Sequence, residues 1–285
     1  MAKTTEQFEY EEIRYEVDGA TAVITLNRPE TLNALTDLTQ AEVRHALERS
    51  EKNPDILGNV LTGEGRGFCS GVDMNALGKM SEAGRRLGNT YGHLAADPGN
   101  PDNDPNFEIG AAYFLGLSKP LIAAINGACA GLGFSWATFC DLRFIDRNAR
   151  ITTSFAQRGL IAEHGTSWML PRLIGPANAL DLFWTSRKIN GEEAFRLGYA
   201  NRLCEDGECV NDAISFLNEI NETNAPNSLM YMKRQVYKHL NKELHPAMVE
   251  SNTWMDESLA RGDFKEGVDS FVQKRPPQFN RVGSE

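Results

Sequence analysis

A carboxylate and an imidazole stand next to each other in the apolar stretch GLIAEHGTSW, as Glu163 and His164. An ionised side chain in apolar surroundings costs free energy unless it is paired or hydrogen-bonded. Two roles fit this placement of Glu163: it caps the start of the following helix, or it takes and returns protons as an acid–base catalyst. His164 would then orient Glu163 or the substrate, although a hydrogen-bonded structural histidine fits the pattern as well.

Two glycine-rich turns each follow a predicted strand: GRGFCSGVDM at residues 65–74 and INGACAGLGFSWA at residues 125–137. Glycine lets a ligand approach the main chain closely, and a helix that begins after such a turn presents unpaired N–H groups. The two turns therefore predict a pair of N–H donors for an anion or an oxyanion. Tight packing of a helix against a strand would also explain the glycines, and neither turn matches a nucleotide-binding motif.

A serine, Ser135, raises a different class of chemistry. It lies in GFSWA, which loosely resembles the Gly-x-Ser-x-Gly turn of serine hydrolases, and His164 with an aspartate would complete a triad. The second glycine of that motif is replaced here by Ala137. A serine hydrolase therefore stays an alternative to an enzyme based on Glu163.

Alternating strands and helices must position these residues. The patterns at residues 13–17 and 22–26 predict a hairpin, and the apolar spacing in residues 36–50 predicts a helix. Strands and helices continue to alternate, and the pattern is mostly helical from residue 176, so we expect an α/β fold. Residues 81–108, which include DPGNPDNDPN, are expected to form a mobile insertion with helical flanks beside the site.

The overall composition argues against several classes of protein. The chain has 285 residues, of which 41% are hydrophobic, and a formal net charge of -10. An acidic chain argues against a nucleic-acid partner and against binding to an anionic membrane surface. Its 5 cysteines, with no Cys-x-x-Cys pair, indicate reduced thiols and no metal site. No secretory signal or membrane-spanning run is visible, so we expect a cytoplasmic protein.

Six blocks of sequence, taken together and in this order, resemble the enoyl-CoA hydratase/isomerase, or crotonase, family. They are LNRPETLNAL, GRGFCSGVDM, KPLIAAINGACAGLGF, ATFCDLRFID, LPRLIG and EGVDSFVQKRPPQF. The resemblance implies an α/β fold in which β-β-α turns form a ClpP-like spiral over residues 8–198, followed by a C-terminal helical trimerisation region at residues 199–285. It also implies a homotrimer or a homohexamer and a coenzyme A thioester as substrate, with no separate cofactor.

The resemblance further implies how the thioester is held. Its oxygen would accept hydrogen bonds from the backbone N–H groups of Ser70 and Leu132. The family usually has glycine where this chain has Leu132, but an N–H donor does not depend on its side chain. In isomerases of the family a single carboxylate follows a glycine by four residues in a Gly-Leu-Ile-x-Glu run, and Glu163 has that position after Gly159.

Hydratases of the family use two glutamates, and this chain has Ser135 and Phe155 at their positions. Hydration needs a water to be activated and a proton to be delivered in concert, whereas the shift of a double bond needs a single base. The resemblance therefore implies an isomerase that converts 3-enoyl-CoA to 2-enoyl-CoA through an enolate, with Glu163 as the base. A hydratase, another enolate reaction and a catalytically silent acyl-CoA-binding protein remain alternatives.

Contacts to the substrate are expected from residues in these motifs and near them. They are Arg28, Cys69, Gly71, Asp73, Gly131, Gly133, Ser135, Phe155, Trp168 and Lys274. Coenzyme A phosphates need cations. The candidates are Arg28, Arg66 and Lys79, with Lys274 and Arg275 reaching from a neighbouring subunit.

Overall fold

The computed structural model describes residues 8–85, 88–99 and 105–282. The strands of this part of the chain are β1 (Ile13–Asp18), β2 (Thr21–Leu26), β3 (Gly58–Gly63), β4 (Gly67–Cys69), β5 (Leu121–Ile125), β6 (Ala128–Ala130), β7 (Leu142–Asp146), β8 (Arg150–Thr152), β9 (Ile189–Asn190) and β10 (Arg202–Cys204). The α-helices are α1 (Asp37–Lys52), α2 (Met74–Ala83), α3 (Leu132–Phe139), α4 (Thr166–Ile174), α5 (Pro176–Thr185), α6 (Gly191–Arg196), α7 (Cys209–Thr223), α8 (Pro226–His239), α9 (Leu244–Leu259) and α10 (Gly262–Gln273).

The strands form two sheets. The larger sheet has the order β1-β2-β3-β5-β7-β10, in which β1 and β2 pair as an antiparallel hairpin and the other neighbours run parallel. Strands β2, β3 and β5 are buried along their whole length, as parallel strands are when both faces of a sheet are covered. The smaller sheet has the order β4-β6-β8-β9. The predicted hairpin and the predicted α/β fold are confirmed.

A unit of two strands and a helix repeats along the chain. Each copy has one strand in the larger sheet, the next strand in the smaller sheet, and then a helix: β3-β4-α2, β5-β6-α3 and β7-β8-α4. These are the β-β-α turns that the family resemblance implied. Because β4 pairs with β6 in the smaller sheet, the two glycine-rich turns that follow these strands lie side by side.

Helix α1 begins where its sequence supplies a cap. The hydroxyl of Thr36 accepts a hydrogen bond from the Thr39 N–H at 3.0 Å, and the Thr39 hydroxyl accepts one from the Thr36 N–H at 3.2 Å. This reciprocal pair satisfies two N–H groups at the helix start. Val43 and Leu47 then pack into the main core. The helix predicted over residues 36–50 is confirmed.

The predicted insertion lies only in part within the described residues, because residues 86–87 and 100–104 fall outside them. Helix α2 flanks it on one side, and short 3₁₀ turns form at Gly92–Leu94 and Pro105–Phe107. The side chains of Leu94 and Phe107 are buried. Residues on both sides of the DPGNPDNDPN stretch therefore pack on the rest of the molecule.

The predicted boundary at residue 198 does not separate the core from a purely helical region, because the larger sheet continues beyond it. Strand β10 pairs with β7, and α7 packs on the same sheet through Ala213 and Leu217. Helices α8, α9 and α10 follow and carry many exposed apolar side chains, including Leu244 and Phe271. Among the described residues, no helix combines the length and the apolar character that crossing a membrane requires.

Candidate active site

The two glycine-rich turns approach each other at Gly71. This residue has a φ of 107°, in the region that favours glycine. A Cβ atom there would lie 3.1 Å from the carbonyl oxygen of Ala130 and 3.4 Å from the backbone nitrogen of Leu132. A larger residue at position 71 would have to displace the start of α3. The turn after β4 is therefore held directly against the first residue of that helix.

Each turn contributes one backbone N–H without an internal partner. Leu132 is the first residue of α3, so its N–H has no acceptor within the helix. The Gly71 carbonyl accepts a hydrogen bond from the Leu35 N–H at 2.7 Å. In a trans peptide the N–H points opposite to the C=O, so the N–H of Val72 points away from Leu35. In the described part of the chain it meets no hydrogen-bond acceptor.

Ser70 is not the donor that the resemblance implied. Its N–H donates to the Leu32 carbonyl at 2.9 Å, and its hydroxyl donates to the Thr31 carbonyl at 2.9 Å. Both groups are therefore engaged within the protein. The sequence analysis missed Val72. Its N–H is the donor that can act together with the N–H of Leu132 on one acceptor.

A cavity of about 410 Å³ lies in front of the two donors. Val72 and Leu132 line one part of it, and Phe155, Arg158 and Glu163 line another. The side chain of Glu163 is 23% exposed, so it reaches the cavity while most of its surface is covered. The glutamate of the opening stretch and the two N–H donors therefore face the same space.

The loop before α4 fixes the main chain of Glu163. Its carbonyl accepts hydrogen bonds from the N–H of Thr166 at 3.1 Å and from the Thr166 hydroxyl at 2.7 Å. The main-chain oxygen thus serves the start of α4, where the N-cap residue is Gly165. A carboxylate oxygen of Glu163 lies 3.5 Å from Nε2 of His164. This arrangement favours the acid–base role of Glu163 over the helix-capping role.

A second cavity, of about 540 Å³, lies on the other side of Leu132. His164, Trp136 and Tyr113 line it together with residues from the segments 89–96 and 110–113. Leu132 lines both cavities, whereas Glu163 lines the first and His164 the second. Leu132 therefore lies between the two cavities.

Comparison of the sequence with known protein families agrees with this geometry. A family model described as enoyl-CoA hydratase/isomerase matches residues 16–282.

The chain belongs to the enoyl-CoA hydratase/isomerase family. It is therefore an enzyme of this family with the crotonase fold.

Known relatives cover almost the whole chain. A probable enoyl-CoA hydratase of Rhodobacter capsulatus is 32% identical over 272 residues, which are 95% of this chain and 98% of that protein. A peroxisomal Delta(3,5)-Delta(2,4)-dienoyl-CoA isomerase of Arabidopsis thaliana is 29% identical over 270 residues, or 95% and 96% of the two chains. The crystal structure of an enoyl-CoA hydratase/isomerase from Mycobacterium paratuberculosis has a TM-score of 0.82 at 28% identity and covers 95% of this chain and 99% of its own. Hydratases and isomerases both occur among these relatives.

This chain has other residues, Ser135 and Phe155, at the two positions where hydratases of the family are expected to have glutamates. Ser135 is completely buried in α3, donates its hydroxyl to the Gly131 carbonyl at 3.2 Å, and lines neither cavity. It therefore does not make the predicted contact with the substrate, and it is not placed to act as the nucleophile of a hydrolase. Phe155 lines the first cavity and presents an apolar ring there.

The other carboxylate in the lining of the first cavity, that of Asp73, already has partners within the protein. Asp73 caps α2, because one carboxylate oxygen accepts the Asn75 N–H at 2.9 Å. The other oxygen lies 3.2 Å from a guanidinium nitrogen of Arg28. Within the described lining, Glu163 is therefore the carboxylate that is placed for acid–base chemistry.

Two of the predicted phosphate-binding cations are already paired inside the protein. Arg28 lies between Asp73 and Glu12, at 3.2 Å and 3.4 Å, and it does not line the first cavity. Arg275 makes two hydrogen bonds to Glu266, at 2.6 Å and 2.7 Å. Both side chains therefore stabilise the fold instead of offering a free charge.

The cation that the first cavity does contain was missed by the sequence analysis. Arg158 ends a 3₁₀ turn, lines the cavity and donates to the Ser154 carbonyl at 2.9 Å. Arg66, Lys79 and Lys274 are exposed and lie away from the lining of this cavity.

Three further predicted contacts are packing residues. Cys69 is fully buried, and burial raises the pKa of its thiol to about 12. A Cβ atom on Gly133 would lie 2.4 Å from the Cys69 carbonyl oxygen, so this glycine serves tight helix–strand packing. Trp168 packs against the core, and the guanidinium carbon of Arg172 lies 4.0 Å from the centre of its ring. Gly71 and Gly131 do line the cavity.

No cluster of three or more potential metal ligands occurs among the residues that the structure covers. All 5 cysteines are buried as free thiols.

Proposed function

We propose that this enzyme is an enoyl-CoA isomerase that moves a double bond from C3–C4 to C2–C3, with Glu163 as its base. The observation that carries the proposal is the placement of Glu163 in the same cavity as the N–H groups of Val72 and Leu132. A thioester oxygen bound by these donors presents its C2 protons to the cavity. The reaction needs no separate cofactor, because coenzyme A is part of the substrate.

The two N–H donors would acidify C2. Removal of a proton from C2 moves negative charge onto the thioester oxygen, where both hydrogen bonds become stronger. A donor of this kind typically contributes about 2.7–4 kcal/mol to the transition state. Glu163 would take the proton from C2 and return it at C4, so that the carboxylate is regenerated in each turnover.

The surroundings of Glu163 favour isomerisation over hydration. A hydratase must hold a water molecule between an acid and a base. The ring of Phe155 occupies part of the cavity wall, and the hydroxyl of Ser135 is buried outside it. Neither side chain can activate water at the thioester.

The test compares two substrates. Purified enzyme is mixed with a 3-enoyl-CoA or a 2-enoyl-CoA, and the absorbance of the conjugated thioester is followed. We expect a rise with the first substrate and no formation of 3-hydroxyacyl-CoA from the second. Formation of 3-hydroxyacyl-CoA from the 2-enoyl substrate would identify a hydratase and contradict the proposal.

A matched pair of variants assigns the base. Glu163→Gln keeps the size of the side chain and removes its proton chemistry, so we expect turnover to fall by about 100-fold or more. Glu82→Gln makes the same change at an exposed position on α2 and should have no effect. Full isomerase turnover in Glu163→Gln would exclude this residue as the base.

We also propose a homotrimer, alone or paired as a homohexamer, with α8–α10 at the contacts between subunits. The exposed apolar side chains of these helices support it, including Leu244, Phe271 and Val272, which are 76%, 85% and 72% exposed. Lys274 follows Phe271 and Val272 at the end of α10, where it would be carried to a neighbouring subunit. Light scattering of the full chain tests the assembly, and a monomer would contradict it.

A further inference from the structure

Leu132 is shared by two cavities that otherwise have separate walls. The first, of about 410 Å³, is lined by Glu163 and by the residues of the two N–H donors. The second, of about 540 Å³, is lined by Trp136 and Tyr113 among others. Of the described residues, Leu132 alone lines both cavities. The boundary between the two spaces therefore lies at this residue.

The main chain and the side chain of Leu132 have different surroundings. Its N–H belongs to the first turn of α3 and has no acceptor within the helix. Its side chain lies on the same face of α3 as Trp136, because residues four apart in a helix share a face. Trp136 lines the second cavity, so this face borders that cavity. Leu132 is only 6% exposed, and its side chain is therefore packed in place.

The second cavity has walls that suit a hydrocarbon chain. Leu94, Tyr113 and Trp136 line it and are 3%, 8% and 4% exposed. Aromatic and aliphatic side chains of this kind cover apolar ligand surface. Arg44, a cation of the same lining, has its guanidinium carbon 4.5 Å from the centre of the Tyr113 ring and donates to the Ala96 carbonyl at 2.8 Å. An acyl chain that entered this space would bury its distal carbons against these walls.

We propose that the side chain of Leu132 limits the length of the acyl group that the enzyme accepts, because it closes the second cavity to the substrate. The inference rests on the proposed function and specifies its substrates as thioesters whose acyl group fits within the first cavity. Phe155, which is 3% exposed, forms another buried wall of that space. A longer chain would have to displace one of these side chains, and displacement in a close-packed interior costs free energy. The glycine that the family resemblance implies at position 132 would place no side chain there.

Binding of saturated thioesters tests this limit without depending on turnover. The full chain is titrated in a calorimeter with butyryl-CoA and with decanoyl-CoA. We expect the unaltered enzyme to bind decanoyl-CoA no more tightly than butyryl-CoA. Leu132→Ala keeps the N–H donor and shortens the side chain. It should tighten the binding of decanoyl-CoA by about tenfold or more, because additional methylene groups become buried, and should change the binding of butyryl-CoA far less.

Two further substitutions at position 132 serve as controls. Leu132→Met retains the approximate volume of the side chain and should keep the limit. Leu132→Val removes a single carbon, so it should shift the preference in the same direction as Leu132→Ala but by a smaller factor. The valine variant also tests the proposal if the larger truncation prevents folding.

A substitution inside the second cavity shows where the longer chain lies. Ala41 lines that cavity from α1, and Ala41→Phe would place a ring in it. Combined with Leu132→Ala, this substitution should cancel the gain in decanoyl-CoA binding. On its own it should change neither affinity, because Leu132 closes the cavity in the unaltered enzyme.

Other results overturn the proposal. One is an unaltered enzyme that prefers decanoyl-CoA as strongly as Leu132→Ala does. Another is a Leu132→Ala variant that keeps the original preference or weakens both thioesters equally, since Leu132 then only holds its N–H donor. A gain that survives Ala41→Phe would place the chain elsewhere.

Turnover separates this proposal from the proposed function. If the enzyme is an isomerase, Leu132→Ala should raise the ratio of kcat/KM for 3-decenoyl-CoA to that for 3-hexenoyl-CoA. If the unaltered enzyme converts neither thioester, the proposed isomerase fails. The binding measurements then still decide whether Leu132 limits the acyl chain.

Discussion

The carbonyl oxygen of Gly71 accepts a hydrogen bond from the N–H of Leu35 at 2.7 Å. This bond fixes the peptide between Gly71 and Val72, and the Val72 N–H therefore points to the side away from Leu35. On that side the turn meets the start of α3, where the N–H of Leu132 has no acceptor within the helix. The two donors of the proposed site thus depend on a contact between the first glycine-rich turn and Leu35, which precedes the N-cap residue of α1.

Replacement of Gly71 tests this arrangement. In Gly71→Ala the new Cβ would lie 3.1 Å from the Ala130 carbonyl oxygen, in a residue with a φ of 107°. We expect the Val72 and Leu132 donors to separate, and kcat/KM to fall by about 100-fold or more, the usual effect of losing an oxyanion donor. Steady-state kinetics measures this loss.

Gly84→Ala is the control for strain in the backbone. Gly84 has a similarly positive φ of 60°, but a Cβ atom there would meet open space. We expect its activity to match that of the unaltered enzyme. Full activity in Gly71→Ala would show that the two turns do not act together.

Arg158 and Arg28 are expected to behave differently when replaced. Arg158 lines the first cavity, so Arg158→Gln should raise KM for the acyl-CoA by roughly tenfold, as expected for the loss of one charged hydrogen bond. Arg28 bridges Asp73 and Glu12, so Arg28→Gln should lower the free energy of unfolding by about 1–3 kcal/mol. Kinetics and thermal unfolding of both variants separate the two roles. A higher KM for Arg28→Gln, with unchanged stability, would reverse the assignment.

Local patterns in the sequence predicted the elements but not all of the contacts between them. The spacing of apolar residues and the cap at Thr36 are local, so α1 was predictable, and Glu163 follows from a short motif. The donor at Val72 depends on Leu35, which pairs with it across a long stretch of chain. The partners of Arg28 are likewise distant in sequence, and no local pattern predicts them.

The second cavity also could not be predicted from local patterns in the sequence. Its walls include the segments 89–96 and 110–113, which have short 3₁₀ turns and no regular apolar spacing. Periodicity carries no signal in such segments, since their position depends on side chains such as Leu94 that are buried against other parts of the chain.

Ser135→Ala distinguishes the isomerase from the hydrolase alternative. The hydroxyl of Ser135 is buried and bonded to the Gly131 carbonyl within its own helix. We expect the variant to keep its isomerase turnover within about twofold and to lose less than about 1.5 kcal/mol of stability, the usual net value of one hydrogen bond. A serine-reactive probe should label neither protein. Labelling of the unaltered enzyme that is absent in Ser135→Ala would support the serine hydrolase instead.

The pair of Glu266 and Arg275 predicts a dependence of stability on pH. Hydrogen bonds from Arg275 and from the N–H of Gln278 lower the pKa of Glu266 to about 2. The pKa of a glutamate in an unfolded chain is about 4.3. The folded state therefore gains stability from the ionised pair above this unfolded-state value, and that gain is lost as the pH falls towards the folded-state value.

Two variants check the pH dependence and the role of Arg275 together. Between about pH 5 and pH 2, Tm should fall less in Glu266→Gln than in the unaltered enzyme, because the variant has no carboxylate to protonate at this position. Arg275→Gln should have the same effect, because the pKa of Glu266 then returns towards its ordinary value. Since Arg275 is held by Glu266, its replacement should leave KM for the acyl-CoA unchanged at neutral pH. A large rise in KM would instead place Arg275 on the coenzyme A phosphates.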